Sequence, residues 1–180
     1  MSKTKKEKLQ KKGAIQPNWK ESEFAKTMDG QIMIMLEKAV QNGHFIEAQA
    51  LSWSAVEQLH LPRLIRWIAK ELKLALPKEI YKLNAQSVNL VYFCISHDQK
   101  LYKRLEENRR QRNKIIHKLA LQGDIESINK LAKECTKSHI LLQQEIMKRF
   151  SGTVLIPAIN LYRNGWNDAL NTALDKIKTT

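Results

Sequence analysis

Residues 28–59 read MDGQIMIMLEKAVQNGHFIEAQALSWSAVEQL, and the spacing of their apolar positions decides the fold class. Ile32, Met35, Leu36, Ala39 and Val40 recur three and four apart, which places them on one face of a helix. Asn42 and Gly43 suit a helix stop, because both tolerate the left-handed backbone that turns a chain out of a helix. From Phe45 onward, Ala48, Leu51, Ser52, Ala55, Val56 and Leu59 form a second stripe, and Pro62, which has no N–H to donate, is expected to limit it. Two helices joined by a tight turn, with no strand-like alternation, point to an all-α protein.

Working outward, a short helix is expected over Leu64 to Leu74, and Pro77 is expected to open a further turn. Asn84 is placed to cap a helix carrying Val88, Val91, Tyr92 and Ile95, while His97 and Asp98 fall at a junction where capping is the expected role. A basic helix runs from about Asp98 to Leu121 and halts at Gly123. Asp124 then caps a last long helix with Ile128, Leu131, Ala132, Cys135, His139, Leu142 and Ile146 on one side. His139 is read as a hydrogen-bonded core histidine, and no role is assigned to His44 or His60. The expected architecture is an antiparallel helical bundle of four to five main helices over residues 28–150. A flexible basic arm precedes it at 1–27, with Trp19 and Phe24 as docking points. A short helical appendage follows at 151–180, with a turn at Asn164 and Gly165 and then Trp166, Leu170, Leu174 and Ile177 on one face.

A chain of 180 residues fits one domain with a sizeable core. Its two cysteines, Cys94 and Cys135, make neither a disulfide framework nor a four-ligand zinc site, so a reducing, cytoplasmic setting is expected. No run approaches the roughly 20 apolar residues that span a bilayer, and the lysines of the amino end are not followed by a signal-peptide core, so no membrane association is expected. The chemistry of cofactors also finds little purchase. The chain has no glycine-rich phosphate loop and no serine in a nucleophile elbow, and its histidines are not expected to pair at metal-ligand spacing, so neither a cofactor nor a metal is expected.

Charge is the strongest compositional signal. The chain carries 31 Lys and Arg against 18 Asp and Glu, a formal net charge of +13. Residues 1–12 hold Lys3, Lys5, Lys6, Lys8, Lys11 and Lys12 against Glu7, a net of +5. Residues 100–118 hold Lys100, Lys103, Arg104, Arg109, Arg110, Arg112, Lys114 and Lys118 against Glu106 and Glu107, a net of +6. Two short blocks therefore account for all but +2 of the excess, the pattern expected where a phosphate backbone is met locally. RNA is the expected partner, with Lys103, Arg109, Arg110, Lys114 and Lys118 as its contacts.

Within the second block stands the string Arg112, Asn113, Lys114, Ile115, Ile116, His117. This Arg-Asn-x-x-x-His pattern, on a basic helix in the second half of an all-helical chain, resembles the signature of the HEPN superfamily (higher eukaryotes and prokaryotes nucleotide-binding). The stretch from Asn42 and Gly43 into the alanine-rich helix through Ala55, Val56 and Glu57 is similar to the turn and second helix of that family. The resemblance extends over roughly Met28 to Phe150.

The resemblance implies a metal-independent endoribonuclease, in which an RNA 2′-hydroxyl attacks the adjacent phosphate to leave a 2′,3′-cyclic phosphate and a free 5′-hydroxyl. It assigns proton exchange to His117, a role that suits an imidazole with an ordinary pKa of about 6.5. It assigns the phosphate oxygens to Arg112, whose planar guanidinium donates in a fork, and lets Asn113 orient ring or substrate from one helical turn away. Two such motifs usually meet across a dimer in the family, so a homodimer is implied, along with a toxin or anti-phage role under an antitoxin-like or regulatory protein partner. Helical geometry offers a second arginine. At 100° per residue Arg112 and His117 diverge by about 140°, with Arg112 inside the stripe of Leu101, Leu105, Ile115, Ile116 and Leu119, whereas Arg110 lies only about 20° from His117.

Overall fold

Thr27 opens the bundle, its Oγ1 accepting the Gly30 N–H at 3.1 Å and so satisfying one of the donors that a helix start leaves unpaired. The structure, a computed structural model, describes residues 19–76, 83–121, 123–149 and 157–180, with Trp19 and 157–163 described by backbone alone. Two 3-10 turns, Trp19–Glu21 and Glu23–Lys26, precede α1 (Met28–Gln41), α2 (Phe45–Ser54), a π-helical turn (Ala55–His60), α3 (Leu61–Glu71), α4 (Ala85–Ser96), α5 (Gln99–Ala120), α6 (Ile125–Arg149) and α7 (Pro157–Thr179). No strand occurs among the described residues, and the fold is an all-α helical bundle.

The expected stops and starts hold where the chemistry is local. Gly43 takes φ of +70° and lets the His44 N–H reach back to the Ala39 carbonyl at 2.9 Å, closing α1. The Asn84 side chain accepts from the Ser87 N–H at 2.9 Å, Asp98 from Leu101 at 3.0 Å and Asp124 from Ser127 at 2.9 Å, so each caps the helix that follows it. Each such cap contributes about 1 kcal/mol.

Pro62 does not end the second helix. α2 runs into the π turn, where the Leu61 N–H reaches the Val56 carbonyl five residues back, and α3 continues with Pro62 at its second position. The wider turn absorbs the missing donor and the ring that would otherwise strike the preceding turn. α3 accordingly starts earlier than the apolar pattern suggests and stops at Glu71, with Lys73 in the left-handed region at φ of 55°. His60, given no role from the sequence, is buried inside this continuous rod.

Two apolar clusters fill the interior. Met33, Leu36, Val40, Phe45, Ala48, Ile128, Ala132, Ile140, Trp166, Leu170, Ala173 and Ile177 are central to the first. Leu61, Leu64, Ile65, Val88, Tyr92, Leu101, Leu105, Leu142 and Ile146 are central to the second. α6 contributes to both and packs on α2, α5 and α7. Full burial of each large side chain contributes about 1.5–3 kcal/mol.

The carboxyl-terminal segment is an integral wall of the first cluster. α7 lies along α1, and no turn interrupts it at Asn164 and Gly165. Gly165 sits mid-helix because the Phe24 ring packs against it; a Cβ there would meet Phe24 Cγ at 2.6 Å. Phe24 is 1 % exposed and its ring lies 5.5 Å from that of Trp166, so the last residues of the expected arm belong to the core. Glu37 of α1, also buried, accepts from Lys20 and from Lys176, tying both ends of the described chain to one carboxylate. The lysine block at 1–12 and the turn expected at Pro77 lie outside the described residues.

Candidate nucleic-acid interface

α5 holds its register through Leu101, Leu105, Asn108 and Ile115, which are buried against α4 and α6. That register fixes what the opposite face presents. Lys100, Lys103, Arg110, Lys114, His117 and Lys118 are all exposed, within an arc of about 100° around the helix axis, with Glu107 among them. From Lys103 to Lys118 the row runs about 22 Å at 1.5 Å per residue.

Not every cation of this helix faces water. Arg109, expected to contact RNA, donates to both oxygens of Glu106, the closest contact being 2.7 Å, and Glu106 also accepts from Asn89 at 2.7 Å. Burial alone would raise the Glu106 carboxyl, but the hydrogen bonds from Arg109 and Asn89 outweigh it and hold it below its ordinary value. Arg104 is ion-paired with Glu145 of α6. Arg104 thus fastens α5 to α6 and Arg109 is engaged within α5, while Lys103, Arg110, Lys114 and Lys118 remain as the outward row.

The residues of the Arg-Asn-x-x-x-His string separate. His117 is exposed, and its ring makes no hydrogen bond to another described residue. Arg112 is half-buried on the other side of the helix, its Nη1 donating to the neighbouring Asn113 Oδ1 at 3.1 Å, and its charge reaches the buried ring of His139. No side-chain hydrogen bond links Asn113 to His117. Within one chain, then, His117 shares its face with Arg110 and Lys114 and not with Arg112. Ile116, expected in the inward stripe, is 43 % exposed, and with Leu121 (82 %) and Ile125 (63 %) it forms an apolar edge beside His117 at the α5–α6 turn.

A second polar cluster lies inside the bundle, where sequence reading placed only a core histidine. His139 Nδ1 stands 3.1 Å from Ser52 Oγ and its Nε2 stands 3.3 Å from Cys135 Sγ. Cys135 and His139 are four residues apart on α6, a pairing at helical spacing that the expectation of unpaired histidines overlooked. Burial, aided by the Arg112 charge, lowers the His139 pKa to about 4, and burial pushes the Cys135 thiol up to about 12. Both groups are therefore neutral at pH 7, and both are sealed from solvent, so the trio acts as a core hydrogen-bond chain rather than as a nucleophile and its base. His60 is likewise held neutral, its pKa lowered to about 3 by burial and then by the nearby Arg63 charge, with its ring 4.2 Å from Trp166.

Among the described residues no group of three His, Cys, Asp or Glu side chains is placed to hold a metal ion, and no helix is long and apolar enough to cross a membrane. Fold and surface together define an all-α bundle in which a cationic face of α5 carries an exposed histidine. Comparison with protein-family models, with curated proteins and with solved structures returned no match.

Proposed function

We propose that this chain is an RNA-acting protein of the HEPN type, a metal-independent endoribonuclease in which α5 supplies half of the site and a second copy supplies the rest. The observation that carries the reading is the position of His117, exposed between Arg110 and Lys118 on a face of α5 that presents a row of cations. The lysines and Arg110 would hold the phosphodiester backbone, and His117 would exchange the proton of the attacking 2′-hydroxyl. One imidazole cannot be acid and base in the same step, so the partner's copy of α5 brings the second. The apolar edge of Ile116, Leu121 and Ile125 next to His117 supports a homodimer along this helix. A toxin or anti-phage effector in a reducing cytoplasm, restrained by an antitoxin-like partner, is the setting this reading implies.

The test is cleavage of mixed RNA by purified protein in EDTA, with products carrying 2′,3′-cyclic phosphate and 5′-hydroxyl ends. An inert wild-type protein across varied RNAs would sink the catalytic reading. The second reading, a non-catalytic RNA-binding module, draws on Arg112, which is turned inward onto Asn113 and away from His117. Salt-sensitive RNA binding without cleavage is its signature.

A further inference from the structure

α4 is unlike its neighbours in having no charged side chain in its 12 residues, AQSVNLVYFCIS. A helix that is apolar on most sides is expected to be covered on most sides. Here Val88, Asn89 and Tyr92 are buried between α3 and α5, yet the outward face is open: Leu90 is 51 % exposed, Cys94 is exposed, Phe93 and Val91 are half-buried beside them, and Leu83 stands exposed just before the helix. The flanking helices present exposed Lys70 and Lys73 at the end of α3, and Lys100, Lys103 and Arg110 on α5, against Glu71 and Glu107. The surface is thus a narrow apolar strip with a predominantly cationic border.

We propose that the outward face of α4 docks an acidic amphipathic helix of a partner protein, whose apolar stripe covers Leu90 and Cys94 while its carboxylates meet the lysines on either side. Charge complementarity selects this occupant. A second copy of the chain is assigned above to α5, and on α4 it would offer an identical strip bordered by cations, with few carboxylates to meet the lysines. A nucleic-acid backbone would find no cation on α4 and would leave Leu90 uncovered. A helix with an i, i+3, i+4 apolar stripe and acidic flanks satisfies both features at once. The inference does not depend on RNA cleavage, although Lys103 and Arg110 of the border also belong to the row assigned to RNA.

Cys94 provides the reporter, because the other cysteine, Cys135, is buried. A trifluoromethyl thiol tag on Cys94 of the full chain is titrated with a designed peptide of Leu and Glu in heptad register. Parallel titrations use a scrambled peptide of equal charge, a structured RNA, and vesicles of phosphatidylserine and phosphatidylcholine. The expected result is a saturable fluorine shift with the heptad peptide, little with the scrambled one, and a loss of affinity of about tenfold or more in Leu90→Glu. Lys103→Ala, which leaves the strip intact, is expected to weaken binding a few-fold and to reduce its salt dependence. Leu90→Asn serves as the folded control should Leu90→Glu lose helicity. Equal binding of both peptides, no binding of either, a response to RNA or vesicles alone, or peptide-free self-association abolished by Leu90→Glu would each overturn the proposal.

Discussion

α5 and α6 lie side by side, and each carries a histidine, His117 in the last turn of α5 and His139 midway along α6, but the two residues have opposite surroundings. His139 is enclosed between Ser52 and Cys135 with its pKa driven down to about 4 by burial, so it works as a neutral hydrogen-bonding wedge. His117 stands exposed among Arg110, Lys114 and Lys118, and its ring is hydrogen-bonded to no other described residue. The difference teaches that residue type and helical spacing do not assign a role. His139 has a thiol and a hydroxyl at its two nitrogens, the residue types of a catalytic site, and is structural. His117 has no such partners within its own chain, and its face is the one that can meet a substrate.

The largest expected effect lies on the exposed side. His117→Ala is expected to reduce metal-independent cleavage by about 10²–10⁴-fold, the usual worth of general acid–base catalysis, with unchanged helicity and melting temperature. The two arginines sharpen the contrast. Arg110→Ala is expected to follow His117→Ala in activity, because both side chains occupy one face. Arg112→Ala is expected to act chiefly on stability, since its half-buried stem and its bond to Asn113 are lost. Single-turnover cleavage beside thermal melts separates the two. A folded Arg112→Ala protein devoid of activity, beside an active Arg110→Ala protein, would move the phosphate-binding role to Arg112 and require the dimer to bring both faces together.

On the buried side the expected effect is on folding. His139→Ala leaves a cavity and strips Ser52 Oγ and Cys135 Sγ of a partner, for a cost of about 2–4 kcal/mol by denaturant unfolding. The same residue makes the bundle acid-sensitive. His60 and His139 have folded pKa values of about 3 and about 4, below the 6.5 of an unfolded imidazole. Between those limits the unfolded chain binds more protons, so the stability contributed by the neutral rings is whole above pH 6.5 and is lost as pH falls toward 4 and then 3. The loss from His139 alone is on the order of 3 kcal/mol. Melting temperature is expected to drop steeply between pH 6.5 and 4.5, and a double His60→Gln, His139→Gln variant, though less stable at pH 7, is expected to show a flatter profile. A parallel profile would assign acid sensitivity elsewhere.

What was legible in the chain divides along the same line between local and tertiary causes. The caps at Asn84, Asp98 and Asp124 and the stop at Gly43 act within a few residues, and all stand where the sequence put them. The inward stripe of α6 was equally readable. Pro62 and Gly165 misled because their surroundings come from afar: the π turn absorbs the proline, and Phe24, far away in the chain, occupies the space that a Cβ at 165 would need. Gly165→Ala is accordingly expected to destabilise by about 1–3 kcal/mol through overpacking, although alanine is the better helix former, and Phe24→Leu in the same chain is expected to recover part of that loss. Of the candidate face, the helix and its charge were plain, and so was the angular conflict of Arg112 with His117. Which cations stay free was not, because Glu145 lies on another helix and Arg109 turns to a glutamate that Asn89 of α4 also holds.

That last distinction carries the smallest and most specific expectation. An RNA contact that displaces counterions lowers the slope of log K against log salt by close to one for each cation removed. Lys114→Ala is therefore expected to weaken RNA binding a few-fold and to flatten the slope by about 0.7–0.9. Arg109→Ala removes the same formal charge, yet its guanidinium is already engaged with both oxygens of Glu106, and the variant frees that carboxylate beside the row. Its effect on affinity then comes from the released negative charge rather than from a lost phosphate contact, so it depends on salt without matching the full slope change of Lys114→Ala. Fluorescence anisotropy with a short RNA between 50 and 200 mM salt, about the range over which phosphate contacts dominate, measures both slopes. Equal slope changes in the two variants would mean that RNA pulls Arg109 from Glu106, and that the outward row is longer in the complex than in the free chain.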